Sequence, residues 1–274
     1  MSELETPIKI EASISADISE STNETLKTLC FPAAEQAGKA LGNITGLFNT
    51  LTLPMKFVNV WAEKNFEKYA EKIKNIPNEK IKEVEPEIGI PLMEKLSYTS
   101  NNDLAEAYAN LLAKASNKDD VDLIHPGFIN KINSMAPDEV KILEYLKNKK
   151  DIGYIIYKVK NNESTKFILS YKLTGLEDIL KLTSERIQLH IENLISLNIL
   201  EDKEGTWFSN EEVYNRLIQF YKDEELNYVN KVEKETAYGE GRQIFIEKSY
   251  YNVTTIGRTF IKACSNSEAI DYKA

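Results

Sequence analysis

The stretch TGLEDILKLTSERIQLHIENLISLNIL, residues 174–200, decides the fold class of the second half of the chain. It predicts a short helix, a tight junction at Thr183 and Ser184, and a longer helix over residues 183–197. The runs IGYIIYKV and KFILSYKL precede it, with KNNEST between them. Because both runs are rich in aromatic and β-branched residues and a polar segment separates them, they predict a β-hairpin.

The residues that follow the longer helix extend this pattern to the end of the chain. EDKEGTWFS predicts a small hairpin with Gly205 in its turn, and NEEVYNRLIQFYKDEE predicts a helix. LNYVNKVEKE and RQIFIEKSYY, joined by TAYGEG, predict a longer hairpin. VTTIGRTFIKACS predicts a closing helix capped by Thr254 or Thr255. This order of elements is typical of a winged-helix fold, so we expect a winged-helix-like α+β domain with β-hairpins over residues 136–274.

The first half of the chain predicts helices. Residues 1–24 are rich in Ser, Thr and Glu and predict a flexible N-terminal arm. Residues 25–135 contain apolar residues at helical spacing and predict an N-terminal helical bundle of about five or six helices. We therefore expect a chain that is mostly α-helical and α+β overall, with its strands in the second half.

Residues 57–76 predict one long helix that ends before Pro77. Its glutamates and lysines between residues 64 and 72 have the spacing that allows ion pairs within one helix. We interpret these charges as pairs on the outer, solvated face of the helix.

His125 begins the stretch HPGFINKINSMAPDEVKILEYL, residues 125–146. A residue before proline is disfavoured in the helical conformation, whereas proline is favoured at the first helical position. Pro126 and Pro137 therefore each predict a helix start. We interpret His125 as a structural residue at a joint between helices and not as a chemical group.

Gly38, Gly42 and Gly46 recur every four residues and would form one stripe of a helix. Glycine costs roughly 1 kcal/mol relative to alanine inside a helix, so this spacing favours the close approach of a neighbouring helix. A self-association face or a membrane-contacting face is the alternative. An uninterrupted run of about 20 apolar residues is missing. We therefore predict no transmembrane span, while residues 30–60 remain a candidate for peripheral membrane contact.

The chain has 274 residues, of which 42% are hydrophobic and 28% charged, and its net charge is −9. This composition is typical of a globular protein, and the acidic balance disfavours a large phosphate-binding surface. Two cysteines, Cys30 and Cys264, lie far apart, and the N-terminus is polar and acidic. We therefore expect a cytoplasmic protein whose thiols are reduced.

Arg186 and His190 lie four residues apart in the longer helix and so share one of its faces. Their spacing is shorter than the Arg–His signature of a helical ribonuclease family common in prokaryotic conflict systems, so we interpret them as a surface pair. A DNA-reading helix normally brings several cationic side chains to phosphates. Here Glu185 and Glu192 accompany Arg186, which favours protein contacts over DNA contacts.

The motifs of common catalytic and cofactor-binding sites are missing from the sequence. It has no glycine-rich phosphate loop between a strand and a helix, no Cys-x-x-Cys pair, and no His-Glu-x-x-His or Gly-x-Ser-x-Gly motif. We therefore predict that the chain is not an enzyme and uses no metal ion and no cofactor. The candidate interaction residues are Gly38, Gly42, Gly46, Arg186 and His190.

The segment IPNEKIKEVEPEIGIPLMEKLSYTSNNDLAEAYANLLAKASN, together with HPGFINKINSMAPDEVKILEYL, resembles the bacterial Abi-alpha family, whose members are linked to abortive infection, a form of phage defence. The earlier stretch PAAEQAGKALGNITGLF and the later stretch TTIGRTFIKAC are similar as well. The shared features are proline, Leu-Leu and His-Pro landmarks in the same order. The resemblance implies a cellular role in defence and assigns no catalytic residue.

We therefore expect an antiphage defence protein that acts by binding or sensing rather than by catalysis. A protein partner from the host or the phage is the favoured ligand, and a homo-oligomer is a further expectation. Two other functions stay open. One is a winged-helix regulator that binds nucleic acid, which the acidic charge disfavours. The other is a membrane-active effector that uses residues 30–60.

Overall fold

Helices and one antiparallel sheet make up the computed structural model of the protein, which confirms the predicted α+β class. The described part of the chain comprises residues 56–147, 149, 151–162 and 166–265. Its α-helices are α1 (Lys56–Lys74), α2 (Pro86–Tyr98), α3 (Asn102–Ala115), α4 (Gly127–Asn133), α5 (Pro137–Leu146), α6 (Leu176–Leu180), α7 (Ser184–Ser196), α8 (Glu212–Phe220), α9 (Lys222–Lys234) and α10 (Thr255–Cys264). Its strands are β1 (Asp151–Lys160), β2 (Lys166–Ile168), β3 (Leu200–Lys203) and β4 (Gln243–Val253).

The described residues fall into two compact units. Residues 56–134 and 262–265 belong to the first unit, and residues 135–261 belong to the second. Helices α1 to α4 lie in the first unit, whereas the whole sheet lies in the second. The predicted three-domain division stays a prediction, because residues 1–55 lie outside the described part of the chain.

Helix α1 buries an apolar face, as its sequence predicts. The buried Asn65 amide also contributes to this face, since it donates to the carbonyl oxygens of Leu96 and Thr99, both at 2.8 Å. These bonds satisfy carbonyls at the end of α2 that have no partner within their own helix. The buried apolar residues of α1 include Phe66, Tyr69 and Ile73.

The start of α3 is capped, as the sequence SNND predicts. The Asn101 side-chain oxygen accepts hydrogen bonds from the backbone amides of Asp103 and Leu104, both at 3.0 Å. We expect Asn101→Ala to lower the free energy of unfolding by about 1 kcal/mol, measured by urea titration. Asn102→Ala, at the exposed next residue, should change it by less than about 0.5 kcal/mol. Equal losses in the two variants would contradict a capping role.

His125 takes part in the start of α4. Its imidazole Nδ1 accepts a hydrogen bond from the backbone amide of Gly127 at 3.0 Å. The side chain therefore supports the helix start, which agrees with the predicted position of His125 at a joint between helices. Helix α5 begins at Pro137, as predicted, and the Glu139 carboxylate accepts a hydrogen bond from the backbone amide of Ala136 at 3.0 Å.

The sheet of the second unit has the strand order β2-β1-β4-β3, and all neighbours are antiparallel. The first predicted hairpin is present as β1 and β2. Strand β1 pairs along its length with β4, from Asp151 opposite Asn252 to Lys160 opposite Gln243. Because nearly every residue of β1 is buried, this strand lies at the centre of the unit.

Two hairpins predicted further along the chain are wrong. LNYVNKVEKE belongs largely to helix α9, and RQIFIEKSYY, which supplies most of β4, pairs with β1 and β3. Residues 201–209 contribute to strand β3 and to a turn at Gly205, where φ is 78°. Helix α9 has acidic residues in its first turn and lysines in its last. These charges complement the helix dipole and favour a helix over a strand.

Helix α10 begins next to the start of β3. The Thr254 hydroxyl donates to the Asn198 carbonyl at 2.7 Å and accepts from the Gly257 amide at 2.8 Å, so Thr254 is the cap. A Cβ atom at position 257 would lie 2.2 Å from the Ile199 carbonyl oxygen. Glycine is required here because its missing side chain lets two backbone segments meet.

Gly38, Gly42 and Gly46 lie outside the described residues, as does most of the segment 30–60. Their predicted roles in helix contact, self-association or membrane contact therefore stay predictions. Among the helices that are described, none combines the length and the apolarity needed to cross a bilayer.

Candidate interaction site on helix α7

Arg186 and His190 both lie on α7, and the structure brings them to the start of α5. The predicted surface pair is wrong for His190, because its side chain is 7% exposed while that of Arg186 is 59% exposed. His190 lies on the buried face of α7 and points towards α5. The apolar residues of that buried face are Ile187, Ile191 and Leu194.

A buried glutamate on α5 holds this part of α7. The Glu139 Oε1 atom lies 3.0 Å from His190 Nδ1, and Oε2 accepts a hydrogen bond from the Asn193 amide at 2.7 Å. Since a carboxylate accepts but does not donate, Nδ1 carries the hydrogen in this contact. Oε2 also accepts from the Ala136 backbone amide, so one carboxylate caps α5 and fixes two side chains of α7.

Asp138 lies on the outer side of this cluster. Its Oδ2 atom lies 3.5 Å from Arg186 Nη2 and 3.7 Å from His190 Nε2, and its Oδ1 accepts from Lys141 at 3.0 Å. The hydrogen bond from Lys141 holds the pKa of Asp138 below its ordinary value, and the nearby positive charges act in the same direction. Asp138 therefore keeps Arg186 beside the buried histidine.

The cluster is built to position α7 and does not expose a reactive group. Within the described residues the buried His190 Nε2 atom has no hydrogen-bond partner, and a substrate would have to displace packed side chains to reach it. The Cys264 thiol is also buried, and this burial raises its pKa, so the thiol stays protonated at neutral pH. In the part of the chain that the structure describes, no three His, Cys, Asp or Glu side chains converge as a metal site.

The opposite face of α7 is exposed and carries no basic row. Glu185, Leu189, Glu192 and Ser196 recur at helical spacing along it. The Leu189 side chain lies between the two glutamates and is 62% exposed. The Gln188 amide donates to the Glu192 carboxylate at 2.9 Å, which keeps that acid on the helix surface. The exposed face of α7 therefore presents an apolar side chain, Leu189, with a glutamate on either side.

Sequence reasoning found Arg186 and His190 but missed Glu139. The position of Glu139 in the first turn of α5 gives a local signal for a cap. Its contact with His190 spans 51 residues of sequence, and no local pattern indicates that pairing. The exposed face of α7 could have been found, because its residues follow the helical period.

The structure also places two lysines of α1 differently from the prediction. The sequence predicts that Lys68 and Lys72 pair with glutamates of their own helix. Both donate to the Glu106 carboxylate of α3, at 3.1 and 2.5 Å. The reason is that this side of α1 packs against α3 and borders a cleft of about 660 Å³ in the first unit. The i, i+4 spacing of the lysines was visible in the sequence, but the distant carboxylate was not.

The fold and the α7 site define a mixed α+β protein in which the exposed face of α7 carries two glutamates and a leucine. The family model described as abortive infection alpha matches residues 62–264, so the chain belongs to the abortive infection alpha family. No curated protein matches the chain. Among solved structures, an uncharacterized protein from the hydrocarbon-degrading marine bacterium Alcanivorax borkumensis SK2 is similar at 12% identity, with a TM-score of 0.31. The match covers 53% of this chain and 94% of that chain.

Proposed function

We propose that the chain is an antiphage defence protein that acts by binding a protein partner through the outer face of α7. Membership of the abortive infection alpha family associates it with phage defence. The observation that carries the binding mode is the exposed Leu189 between Glu185 and Glu192. An exposed apolar residue within an acidic rim suits a partner that offers a basic surface with an apolar pocket.

The arrangement of the second unit supports a winged-helix interpretation. The elements α5, β1, α6, α7, β3, β4 and α10 follow the order of that fold, and β4 pairs with both β1 and β3. Strand β2, and helices α8 and α9, are then insertions. In this interpretation α7 takes the place of the recognition helix, which is the element that such domains present to a partner.

The charge of the α7 face argues for a protein partner rather than for nucleic acid. Phosphate contacts supply most of the affinity of a nucleic-acid reader and require cationic side chains. The exposed row on α7 contains Glu185 and Glu192 instead, and Arg186 is engaged by Asp138. A DNA duplex would therefore meet repulsion at the helix that should read it.

A binding role is also consistent with the geometry around His190. Catalysis there would require solvent and substrate to reach an imidazole that α5 and α7 enclose. We also propose that binding through α7 requires neither a metal ion nor a cofactor. We further propose a cytoplasmic location, which cell fractionation tests. We also propose self-association, which analytical ultracentrifugation tests.

We expect expression of the chain to lower plaque counts in a panel of phages, and Leu189→Glu to abolish that protection. The added charge would place a third acid on the α7 face and remove its apolar contact. Leu226→Glu is the matched control, because Leu226 is 61% exposed on α9 and the same substitution there leaves α7 intact. Plaque counts and circular dichroism of both variants are measured.

Unchanged plaque counts for the wild-type chain across a diverse panel would remove the defence role. Protection that survives Leu189→Glu as well as Leu226→Glu would remove the α7 face as the binding surface. Retardation of a DNA duplex at low salt, lost on raising the salt concentration, would favour the nucleic-acid regulator instead.

A further inference from the structure

The first unit contains a cleft lined by charged side chains. Its volume is about 660 Å³, which lies in the range of small-molecule sites. Its walls come from α1, from α3 and from the loops that follow these two helices. The lining lysines are Lys68, Lys72, Lys80 and Lys114, and the lining acids are Glu71, Glu106, Asp119 and Asp120.

Two polar residues of α3 in this lining are almost fully buried. Asn110 is 4% exposed and donates to the Cys264 carbonyl at 2.9 Å. Lys114 is 7% exposed and donates to the carbonyl oxygens of Lys262 and Ser265, the latter at 2.7 Å. Both side chains are thus held in place before any ligand arrives. Such preorganisation lowers the ordering cost of binding.

Two lysines on the α1 wall of the cleft contact the same anionic group. Lys68 and Lys72 are one helical turn apart, and both donate to the same carboxylate, that of Glu106. Burial alone would raise the pKa of Glu106, but the hydrogen bonds from the two lysines outweigh it and lower the pKa. The two ammonium groups therefore already converge on the two oxygens of one oxyanion, and a phosphate group offers charged acceptor oxygens of the same kind.

We propose that this cleft binds a compact phosphorylated small molecule of the nucleotide class, whose phosphate contacts Lys68 and Lys72 in competition with Glu106. The volume of the cleft limits the ligand to a compact one, and the far wall carries two acids. Asp119 there pairs with Lys80 at 2.6 Å, and Asp120 accepts from the Asn117 amide at 2.7 Å. These acids can accept hydrogen bonds from the amino groups of a nucleobase.

The experiment is calorimetric titration of the full chain with ATP at low ionic strength, where exposed charges are least screened. We expect Lys68→Gln/Lys72→Gln to weaken ATP binding at least about tenfold, because two charge-assisted contacts are lost. Glu106→Gln should strengthen it several-fold, since the competing carboxylate is gone. Lys64→Gln, on the exposed side of α1 and outside the cleft, is the matched control and should bind like the wild type.

Adenosine, which lacks the phosphate, should give no heat at the concentrations at which ATP binds. Adenosine binding as tight as that of ATP would overturn the proposal. So would the absence of ATP binding to both the wild type and Glu106→Gln at millimolar concentration, or equal affinities of the double lysine variant and the wild type. Circular dichroism of each variant confirms that the fold is retained. The cleft shares no residue with α7. A negative result for ATP binding would therefore not contradict the proposed partner surface on α7.

Discussion

Gly257→Ala lowers the free energy of unfolding by about 3 kcal/mol. The added Cβ would lie 2.2 Å from the Ile199 carbonyl oxygen. Neither atom can rotate away, because the backbone fixes the position of Cβ and the carbonyl oxygen is itself a backbone atom. The first turn of α10 must then shift, which breaks the bonds of Thr254 to Asn198 and to Gly257. Thermal unfolding followed by circular dichroism should show a midpoint about 6–12 °C lower than that of the wild type.

The sign of the change in unfolding free energy for Gly257→Ala distinguishes a crowded position from an ordinary helical one. Inside an uncrowded helix, the same substitution stabilises by up to about 1 kcal/mol, so a loss points to the close approach of Gly257 to the Ile199 carbonyl. Ile256→Ala, at a neighbouring residue that is 44% exposed, is the control and should cost less than about 1 kcal/mol. If the Gly257→Ala protein melts at or above the wild-type temperature, Gly257 does not lie against the Ile199 carbonyl.

Glu139→Ala should destabilise the second unit by about 3–5 kcal/mol, because three hydrogen bonds lose their acceptor at a buried site. The substitution leaves the His190 imidazole, the Asn193 amide and the start of α5 without their shared acceptor. These groups are buried or partly buried, so water replaces the lost bonds poorly. The free energy of unfolding from urea titration measures the loss.

Glu144→Ala is the matched control for Glu139→Ala. It lies on the same helix with a side chain that is 66% exposed and pairs with Lys147 at 3.6 Å, so its replacement should change the free energy of unfolding by about 1 kcal/mol or less. In the double variant Glu139→Ala/His190→Ala, the losses should be non-additive by about 0.5–3 kcal/mol, as expected for residues in contact. Strict additivity, or a Glu139→Ala loss no greater than that of Glu144→Ala, would mean that the cluster does not hold α7.

Errors in the sequence-based predictions arose where a side chain or strand has a distant partner. The spacing of His190 and Arg186 predicts a surface pair. His190 is instead buried and contacts Glu139, which lies 51 residues away in the sequence. Lys68 and Lys72 have the spacing of an exposed pair, yet their carboxylate partner lies on α3. The second half of the predicted long hairpin is a real strand, β4, but its partners are β1 and β3 rather than the adjacent segment.

The sequence by itself determined where several helices begin, because a cap or a proline acts within one turn of its own position. Asn101, Pro137 and Thr254 each start a helix as predicted, and the change of period after residue 150 placed the strands in the second half. Only the tertiary structure decided which buried charges share a carboxylate, which face of α7 meets solvent, and where a backbone needs glycine. These features depend on distances between segments that are remote in sequence, and such distances are set by packing of the whole unit rather than by local hydrogen bonds.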